Sequence, residues 1–159
     1  MSNLLAKWLY KMTLQIHSTT LTDTRKKYEK FKNQKIQGRT VDEWDVQWIN
    51  VGSLHELIYH TTHLNNYIGL YRLKLNNEIL FIGHSIDYYR GGLRKQLLEL
   101  IYNNQYLYTM LPIDTITDSS ITVDVLIVGN SVRSVDSTKQ LKLLFVGKYL
   151  PRYNLYLNY

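Results

Sequence analysis

The strongest constraint on the fold is a pair of strand-like runs on either side of the dipeptide Asn76-Asn77. Hydrophobic and polar residues alternate over residues 67–75, and a second run follows at residues 78–83. Such alternation places successive side chains on opposite faces of a strand. Asparagine tolerates the positive φ angles of a two-residue turn, so the pattern predicts a β-hairpin over residues 67–83.

The elements after this hairpin are predicted from periodicity and from their boundary residues. A helical pattern spans residues 93–102, residues 112–120 are typical of a loop, and the β-branched run 121–128 predicts a strand. Ser134 or Asp136 caps a final helix that extends to Leu150 and ends at Pro151. The order strand, strand, helix, strand, helix predicts an α+β fold with three strands.

The first 65 residues have a different, helical pattern. Residues 4–16 carry one apolar stripe, and residues 22–35 form a strongly basic helical stretch. Residues 38–65 predict one or two further helices, in which Trp44 and Trp48 share a face. We therefore predict a basic, helical N-terminal extension over residues 1–65 and an α+β domain over residues 66–159.

The amino-acid composition excludes several kinds of functional site and indicates the charge of a partner. The chain has 159 residues, no cysteine, and a net charge of +6 with a pI near 9.4. The lack of thiols excludes disulfide frameworks, thiolate zinc sites and cysteine nucleophiles. The basic excess favours an acidic partner such as nucleic acid. No apolar run reaches membrane-spanning length and no signal-peptide pattern occurs, so we expect an intracellular protein without a membrane partner.

A group of histidines near the middle of the chain is a candidate metal site. Zinc proteases place two histidines four residues apart on a helix, in the pattern HExxH. His55 and His60 are five residues apart, which turns their rings away from each other. His60 and His63 have a workable spacing, but the sequence suggests no third ligand, and we predict no metal site.

Three short motifs occur in order along the α+β part. Gly69-Leu70-Tyr71 lies in the first strand, Phe81-Ile82-Gly83 lies in the second, and Pro151-Arg152-Tyr153-Asn154 follows the last helix. Together with the element order, they resemble the GIY-YIG nuclease domain over residues 67–154. The resemblance implies a small three-stranded antiparallel sheet flanked by helices. It also implies hydrolysis of a phosphodiester by water with one divalent cation.

The resemblance further implies where the family's site residues fall. Its two tyrosines, arginine, metal-holding glutamate and terminal asparagine correspond in turn to Tyr71, Phe81, Gln96, Lys142 and Asn154. A phenylalanine has no hydroxyl, a glutamine has no charge, and an ammonium group repels the cation that a carboxylate would hold. The resemblance therefore implies a catalytically degenerate member, in which Arg94 or Arg90 is near enough to replace the missing arginine.

A degenerate site can still bind its ligand, because phosphates are attracted by positive charge without any metal. We predict a protein that binds nucleic acid, in the first place DNA, or a protein that handles nucleic acid, without efficient cleavage and without a cofactor. An AT-rich composition suits a viral, phage or mobile-element origin. The predicted nucleic-acid-binding residues are Arg90, Arg94, Lys95, Arg133, Lys139, Lys142, Lys148 and Arg152.

Two alternatives stay open at this point. The first is an active endonuclease with a rearranged site, in which Tyr71 acts on the nucleophile, Arg90 or Arg94 binds the phosphate, and Glu99 or another carboxylate holds Mg²⁺. The second is a protein-interaction module whose exposed tryptophans face a partner; these would be Trp8, Trp44 and Trp48.

Overall fold

The computed structural model describes residues 22–102 and 121–157. The predictions for residues 4–16, residues 112–120 and Trp8 lie outside these ranges. Single 3₁₀ turns at Leu54–Glu56 and Thr62–Leu64 flank the short helix α3. The helices and strands are α1 (residues 22–31), α2 (Val41–Asp45), β1 (Ile49–Ser53), α3 (Leu57–His60), β2 (Ile68–Leu75), β3 (Glu78–Ser85), α4 (Gly92–Tyr102), β4 (Ile121–Gly129), α5 (Arg133–Tyr149) and α6 (Arg152–Leu157).

The fold is α+β, with an antiparallel sheet flanked by helices, and the sheet has four strands in the order β1-β4-β2-β3. The expected count of three strands was wrong, because β1 lies in the stretch that we interpreted as helical. β1 is short, and a register shift between Asn50 and Gly52 interrupts its pairing with β4. A bulge breaks the period-two pattern, which is why the sequence did not reveal this strand.

The predicted hairpin is confirmed. Asn76 and Asn77 have φ angles of 50° and 68°, so both turn residues adopt the left-handed conformation that asparagine tolerates. The predicted helix at residues 93–102 and strand at residues 121–128 are also confirmed, and each extends one residue further than expected. The predicted final helix, α5, ends at Tyr149, and Leu150 then adopts a left-handed conformation before Pro151.

Each face of the sheet packs against its own set of helices. Alternation along β2 directs Leu70 to one face and Tyr71 to the other. The Tyr71 face is covered by α3 and α4, whose buried leucines include Leu93 and Leu97. The Leu70 face is covered by α1, α2 and α5, with Phe145 of α5 fully buried. Among the described residues, no helix combines the length and apolar character needed to cross a lipid bilayer.

Residues on both sides of the predicted boundary at residue 65 share this core. β1 pairs with β4, and α1 packs on α5, where a Cβ at Gly147 would fall 2.6 Å from the Cβ of Tyr28. Arg25 donates hydrogen bonds from Nη1 to the carbonyl oxygens of Gly147 and Lys148, at 3.3 and 3.0 Å. These contacts fix α1 to the C-terminal end of α5, where carbonyl groups lack helical partners.

A buried polar network on the Leu70 face ties β1, β2 and β4 together. Its centre is Asp124 of β4, whose side chain is only 4% exposed. The carboxylate accepts hydrogen bonds from Arg72 Nε at 2.8 Å, Lys74 Nζ at 2.7 Å and Asn50 Nδ2 at 3.0 Å. The Arg72 guanidinium in turn lies 4.3 Å from the centre of the Trp48 ring, a cation–π contact.

We expect this network to make the fold sensitive to acid through Asp124. Burial alone would raise the pKa of Asp124, but hydrogen bonds from Lys74, Arg72 and Asn50 outweigh it and lower that pKa below 3.8. A depressed folded-state pKa means that this stabilisation is present above the unfolded value and is lost as the pH falls through the folded value. Asp124→Asn should therefore lower the free energy of unfolding by about 3 kcal/mol at neutral pH.

Urea unfolding of the parent and of Asp124→Asn at neutral pH and at a pH well below 3.8 measures this effect. The difference between the two proteins should shrink in acid, because the parent loses its charged Asp124 there. Glu29→Gln is the matched control, because Glu29 forms only exposed ion pairs on α1 and its loss should change stability by less than about 1 kcal/mol. Equal stability of Asp124→Asn and the parent at neutral pH would contradict the prediction.

Candidate functional site

The two glycine-containing strand motifs meet at Tyr71 and Gly83, which are partners in the β2–β3 ladder. The Tyr71 ring lies across Gly83, where an added Cβ would fall 2.2 Å from the ring atom Cζ. Phe81 packs beside it with ring centroids 6.2 Å apart, and both aromatic residues are 1% exposed. Glycine at position 83 is therefore required for the tyrosine to lie flat on β3, and both rings belong to the core.

Gly69, the other motif glycine, is required by the neighbouring strand. A Cβ at this position would fall 1.9 Å from the carbonyl oxygen of Leu126 in β4. The register between β2 and β4 shifts at Ile68 and Gly69, which brings the β4 backbone against β2. In the first motif, Gly69 therefore allows the β2 and β4 backbones to approach closely, and Tyr71 packs on β3.

Asn154 of α6 is bound to the backbone of β3. Its Nδ2 donates to the carbonyl oxygen of Ile82 at 2.7 Å, and its Oδ1 accepts from the N–H of Ile82 at 2.7 Å. Asn154 is 2% exposed, so both bonds are buried. Among the described strands β3 lies at the edge of the sheet, and these bonds satisfy a backbone pair that faces away from β2.

Lys142, the position implied for the metal-holding glutamate, lies on the inner side of α5. The residue is 9% exposed, and burial lowers the pKa of its ammonium group below 10.5. Its positive charge also acts on His84 of β3. Lys142 lies near His84 on the face of the sheet that α5 covers. The Tyr71 ring lies against Gly83, the preceding residue of β3, on the opposite face, which α4 covers.

His84 is a candidate site residue that the sequence did not suggest, and it lies near Lys142. Burial and then the positive charges of Lys142 and Lys139 lower the pKa of His84 to about 4, so its imidazole is neutral at physiological pH. The sequence position of His84 could have indicated this role, because His84 directly follows the Phe81-Ile82-Gly83 motif on the same strand. The predicted histidine cluster at positions 55, 60 and 63 does not include it.

The implied arginine position and its possible replacements lie on α4. Gln96 is half-buried there, on the helix that covers the Tyr71 face. Arg90, Arg94 and Lys95 instead line a cavity of about 500 Å³ at the N-terminal end of α4 and on its outer side. The cavity also includes Glu99, which lies 3.9 Å from Lys95 in an exposed ion pair. The structure thus brings three predicted nucleic-acid-binding residues together.

The remaining predicted nucleic-acid-binding residues are dispersed. Lys148 is held by the carboxylates of Asp42 at 2.8 Å and Asp45 at 2.6 Å, and these bonds raise its pKa against the effect of burial. Arg152 forms an exposed ion pair with Glu78 at 3.1 Å. Lys139 and Arg133 are exposed on α5, and only Lys139 lies close enough to His84 to lower its pKa.

The two tryptophans of the interaction-module alternative do not form an exposed face. Trp44 is 4% exposed and donates from Nε1 to the carbonyl oxygen of Ile36 at 2.8 Å. Trp48 donates from Nε1 to Asp45 at 3.0 Å and lies between Arg72 and Phe145. Both rings are therefore structural, and they attach the segment around α2 to the sheet.

The described residues contain no group of three or more His, Cys, Asp or Glu side chains placed to hold a metal ion. His60 and His63 line one cavity with Glu56, and the Glu56 carboxylate accepts a hydrogen bond from the Ser53 N–H at 3.3 Å. Asp124, the buried carboxylate of β4, is bound by Arg72 and Lys74.

At the end of β3, a neutral imidazole and the two ammonium groups of Lys139 and Lys142 lie on the α5 side of the sheet, and the packed Tyr71 ring lies on the opposite side. Hard cations such as Mg²⁺ bind to oxygen ligands, chiefly carboxylates, whereas ammonium groups attract anions. This arrangement is therefore suited to an anion. Comparison of the chain with protein-family models, with curated proteins and with solved structures finds no match.

Proposed function

We propose that this protein is a catalytically degenerate GIY-YIG-like domain that binds nucleic acid without cleaving it efficiently. The observation that carries the proposal is Lys142. A nearly buried ammonium group occupies the position at which the family resemblance implies a carboxylate. Gly69 and Asn154 meanwhile lie against the backbones of neighbouring strands, and Gly83 lies against the Tyr71 ring.

The charges at this end of β3 argue against metal-dependent hydrolysis. Lys142 repels a divalent cation, and His84 is kept neutral beside it. Tyr71 is 1% exposed, so its hydroxyl is poorly placed to act on a water nucleophile in solution. We infer that the residues at this position do not fit Mg²⁺, and that no hydrolytic step proceeds through such an ion.

The same charges favour a phosphate. The charged form of a buried ammonium group is stabilised by an anion, because the anion offsets the loss of hydration that lowers its pKa. Lys139 adds a second, exposed positive charge near His84. The overall charge of +6 attracts a polyanion from a distance and accelerates its association.

Binding and cleavage are tested side by side. Fluorescence anisotropy with labelled DNA at two salt concentrations should show binding that weakens steeply with salt, because phosphate contacts release counterions. Incubation of plasmid and branched DNA with Mg²⁺ or Mn²⁺ should leave both substrates intact. Metal-dependent cutting that disappears in a Tyr71→Phe variant would overturn the proposal in favour of an active nuclease, and absence of any binding would also overturn it.

Lys142→Met isolates the contribution of the lysine charge. Methionine keeps the buried stem, and we expect the variant to be at least as stable as the parent at neutral pH, because it no longer buries an ammonium group. We expect DNA affinity to fall severalfold. The slope of log affinity against log salt concentration should become shallower by about 0.9, the value for one phosphate contact. Anisotropy titrations measure both quantities, and urea unfolding verifies the fold.

The pH dependence and a matched variant complete this test. Since burial depresses the folded-state pKa of Lys142, the stability advantage of Lys142→Met should shrink as the pH rises toward 10.5. Lys26→Met removes the same charge from the exposed surface of α1 and should leave DNA affinity nearly unchanged. Equal affinities of Lys142→Met and the parent would count against a phosphate at this position.

A further inference from the structure

The N-terminal end and outer side of α4 carry a second candidate surface, separate from the end of β3. It contains a cavity of about 500 Å³, and neither Tyr71 nor Lys142 lines that cavity. Its lining includes the side chains of Asn65, Arg90, Arg94, Lys95, Glu99 and Tyr102. Three of them are cationic and one is anionic, so the cavity has a net positive charge and favours an anionic ligand.

The Arg94 side chain carries a hydrogen-bond donor for which the described residues supply no acceptor. Its Nε is buried and has no hydrogen-bond partner within the described part of the chain. A guanidinium group presents its donors in a planar fork that matches the oxygens of a phosphate. Arg94 also lines the cavity, so a phosphate bound there would offer acceptors to this guanidinium group.

Exposed aromatic rings accompany the cations. Tyr102, which lines the cavity, is 70% exposed, and Tyr89, next to Arg90 in sequence, is 64% exposed. The Arg90 guanidinium lies 5.3 Å from the centre of the Tyr89 ring. Large aromatic side chains at this level of exposure are available to a ligand, and their neighbours are positively charged.

We propose that this surface of α4 binds single-stranded nucleic acid, with a base stacked on Tyr102 and phosphates bound by Arg90, Arg94 and Lys95. The inference rests on the proposed function and deepens it by naming the strandedness of the ligand and its surface. Proteins that bind single strands without sequence preference combine a basic groove with aromatic rings on which bases stack. Both parts are present on this one helix.

The combination of rings and charges favours a single strand over a duplex. In a duplex the base faces are covered by neighbouring bases, so an exposed tyrosine gains no stacking partner without unstacking the helix. From Gly92 to Tyr102 the helix rises about 15 Å, which matches several nucleotides of one strand. An acidic peptide would satisfy the cations but would leave the exposed ring of Tyr102 without a stacked partner.

The test compares three labelled ligands of equal length by fluorescence anisotropy: a single strand, its duplex, and a single strand of abasic units that keeps every phosphate but has no bases. We expect Tyr102→Ala to weaken binding of the normal single strand about tenfold, and to leave duplex and abasic binding unchanged. Tyr102→Phe should retain full affinity, because a phenyl ring also stacks. Arg94→Ala should weaken all three ligands and reduce the salt slope.

A matched control and distinct outcomes separate this inference from the proposed function. Phe31→Ala removes a partly exposed aromatic ring from α1, on the opposite side of the sheet, and should not change single-strand affinity. Binding that is unchanged by Tyr102→Ala, or equal for normal and abasic strands, would overturn the stacking inference while nucleic-acid binding itself stands. Absence of binding to all three ligands would overturn both. Loss of affinity in Tyr102→Phe as well as Tyr102→Ala would also contradict stacking.

Discussion

Asn154→Ala is expected to lower the free energy of unfolding by about 2–6 kcal/mol, because it leaves both the N–H and the C=O of Ile82 without their buried partners. Each unsatisfied buried group costs about 1–3 kcal/mol. A loss of this size is a large fraction of the stability of an ordinary domain. Urea or thermal unfolding, followed by circular dichroism, measures it directly.

Asn154→Asp tests the geometry of the same contact. A carboxylate accepts from the Ile82 N–H but cannot donate to the Ile82 carbonyl, so this variant should also be destabilised at neutral pH. The introduced carboxyl group would have a raised pKa in the folded state, since burial and the facing carbonyl disfavour its charge. Its protonated form can donate, so stability should recover below the unfolded pKa and be lost as the pH rises through the folded value.

Asn65→Ala provides the control for both variants, because Asn65 is exposed and its loss should have little effect on stability. If Asn154→Ala unfolds at the same denaturant concentration as the parent, the attachment of α6 to β3 is not a stabilising contact. If the stability of Asn154→Asp does not recover in acid, the hydrogen bond donated to the Ile82 carbonyl does not contribute to the free energy of unfolding.

Gly69→Ala should have the largest effect of any single methyl group added to the described sheet. The added carbon would fall 1.9 Å from the Leu126 carbonyl oxygen, so β2 and β4 would have to separate. Overpacking in a rigid core usually costs about 1–3 kcal/mol, and here the obstacle is backbone rather than a movable side chain. We therefore expect a loss above that range, with little soluble folded protein, as measured by yield and circular dichroism.

Gly83→Ala is the matched comparison, because its added carbon meets the side chain of Tyr71 rather than a backbone atom. Gly83→Ala alone should be destabilising, and the double variant with Tyr71→Ala should recover part of that loss. Gly69→Ala should not be rescued by Tyr71→Ala. A double-mutant cycle on unfolding free energies separates the two cases. Full stability of Gly69→Ala would mean that β2 and β4 can separate without cost.

The sequence predicted the elements whose signals are local. The hairpin followed from alternation around Asn76-Asn77, and both asparagines have the left-handed φ angles that this turn requires. The helix at residues 93–102 and the strand at residues 121–128 followed from periodicity in the same way. These predictions succeeded because the pattern of each element is contained within its own residues.

The sequence could not predict features that depend on contacts between distant residues. β1 has no clear alternation, and its pairing with β4 joins residues about 70 positions apart. Lys148 was assigned to a nucleic-acid surface, but Asp42 and Asp45 bind it, over 100 positions away. The proximity of His84 to Lys142 likewise depends on how α5 packs on β3. Charge and residue type alone do not indicate such partners.

The two hydrogen bonds between Asn154 and Ile82 are also expected to oppose self-association through β3. An exposed edge strand offers its free N–H and C=O groups as a template for another chain, and β3 forms one edge of this sheet. The asparagine amide occupies the backbone groups at the middle of β3, so an approaching strand cannot form a continuous ladder there. A side chain near the end of the sequence thereby helps to prevent aggregation along this edge.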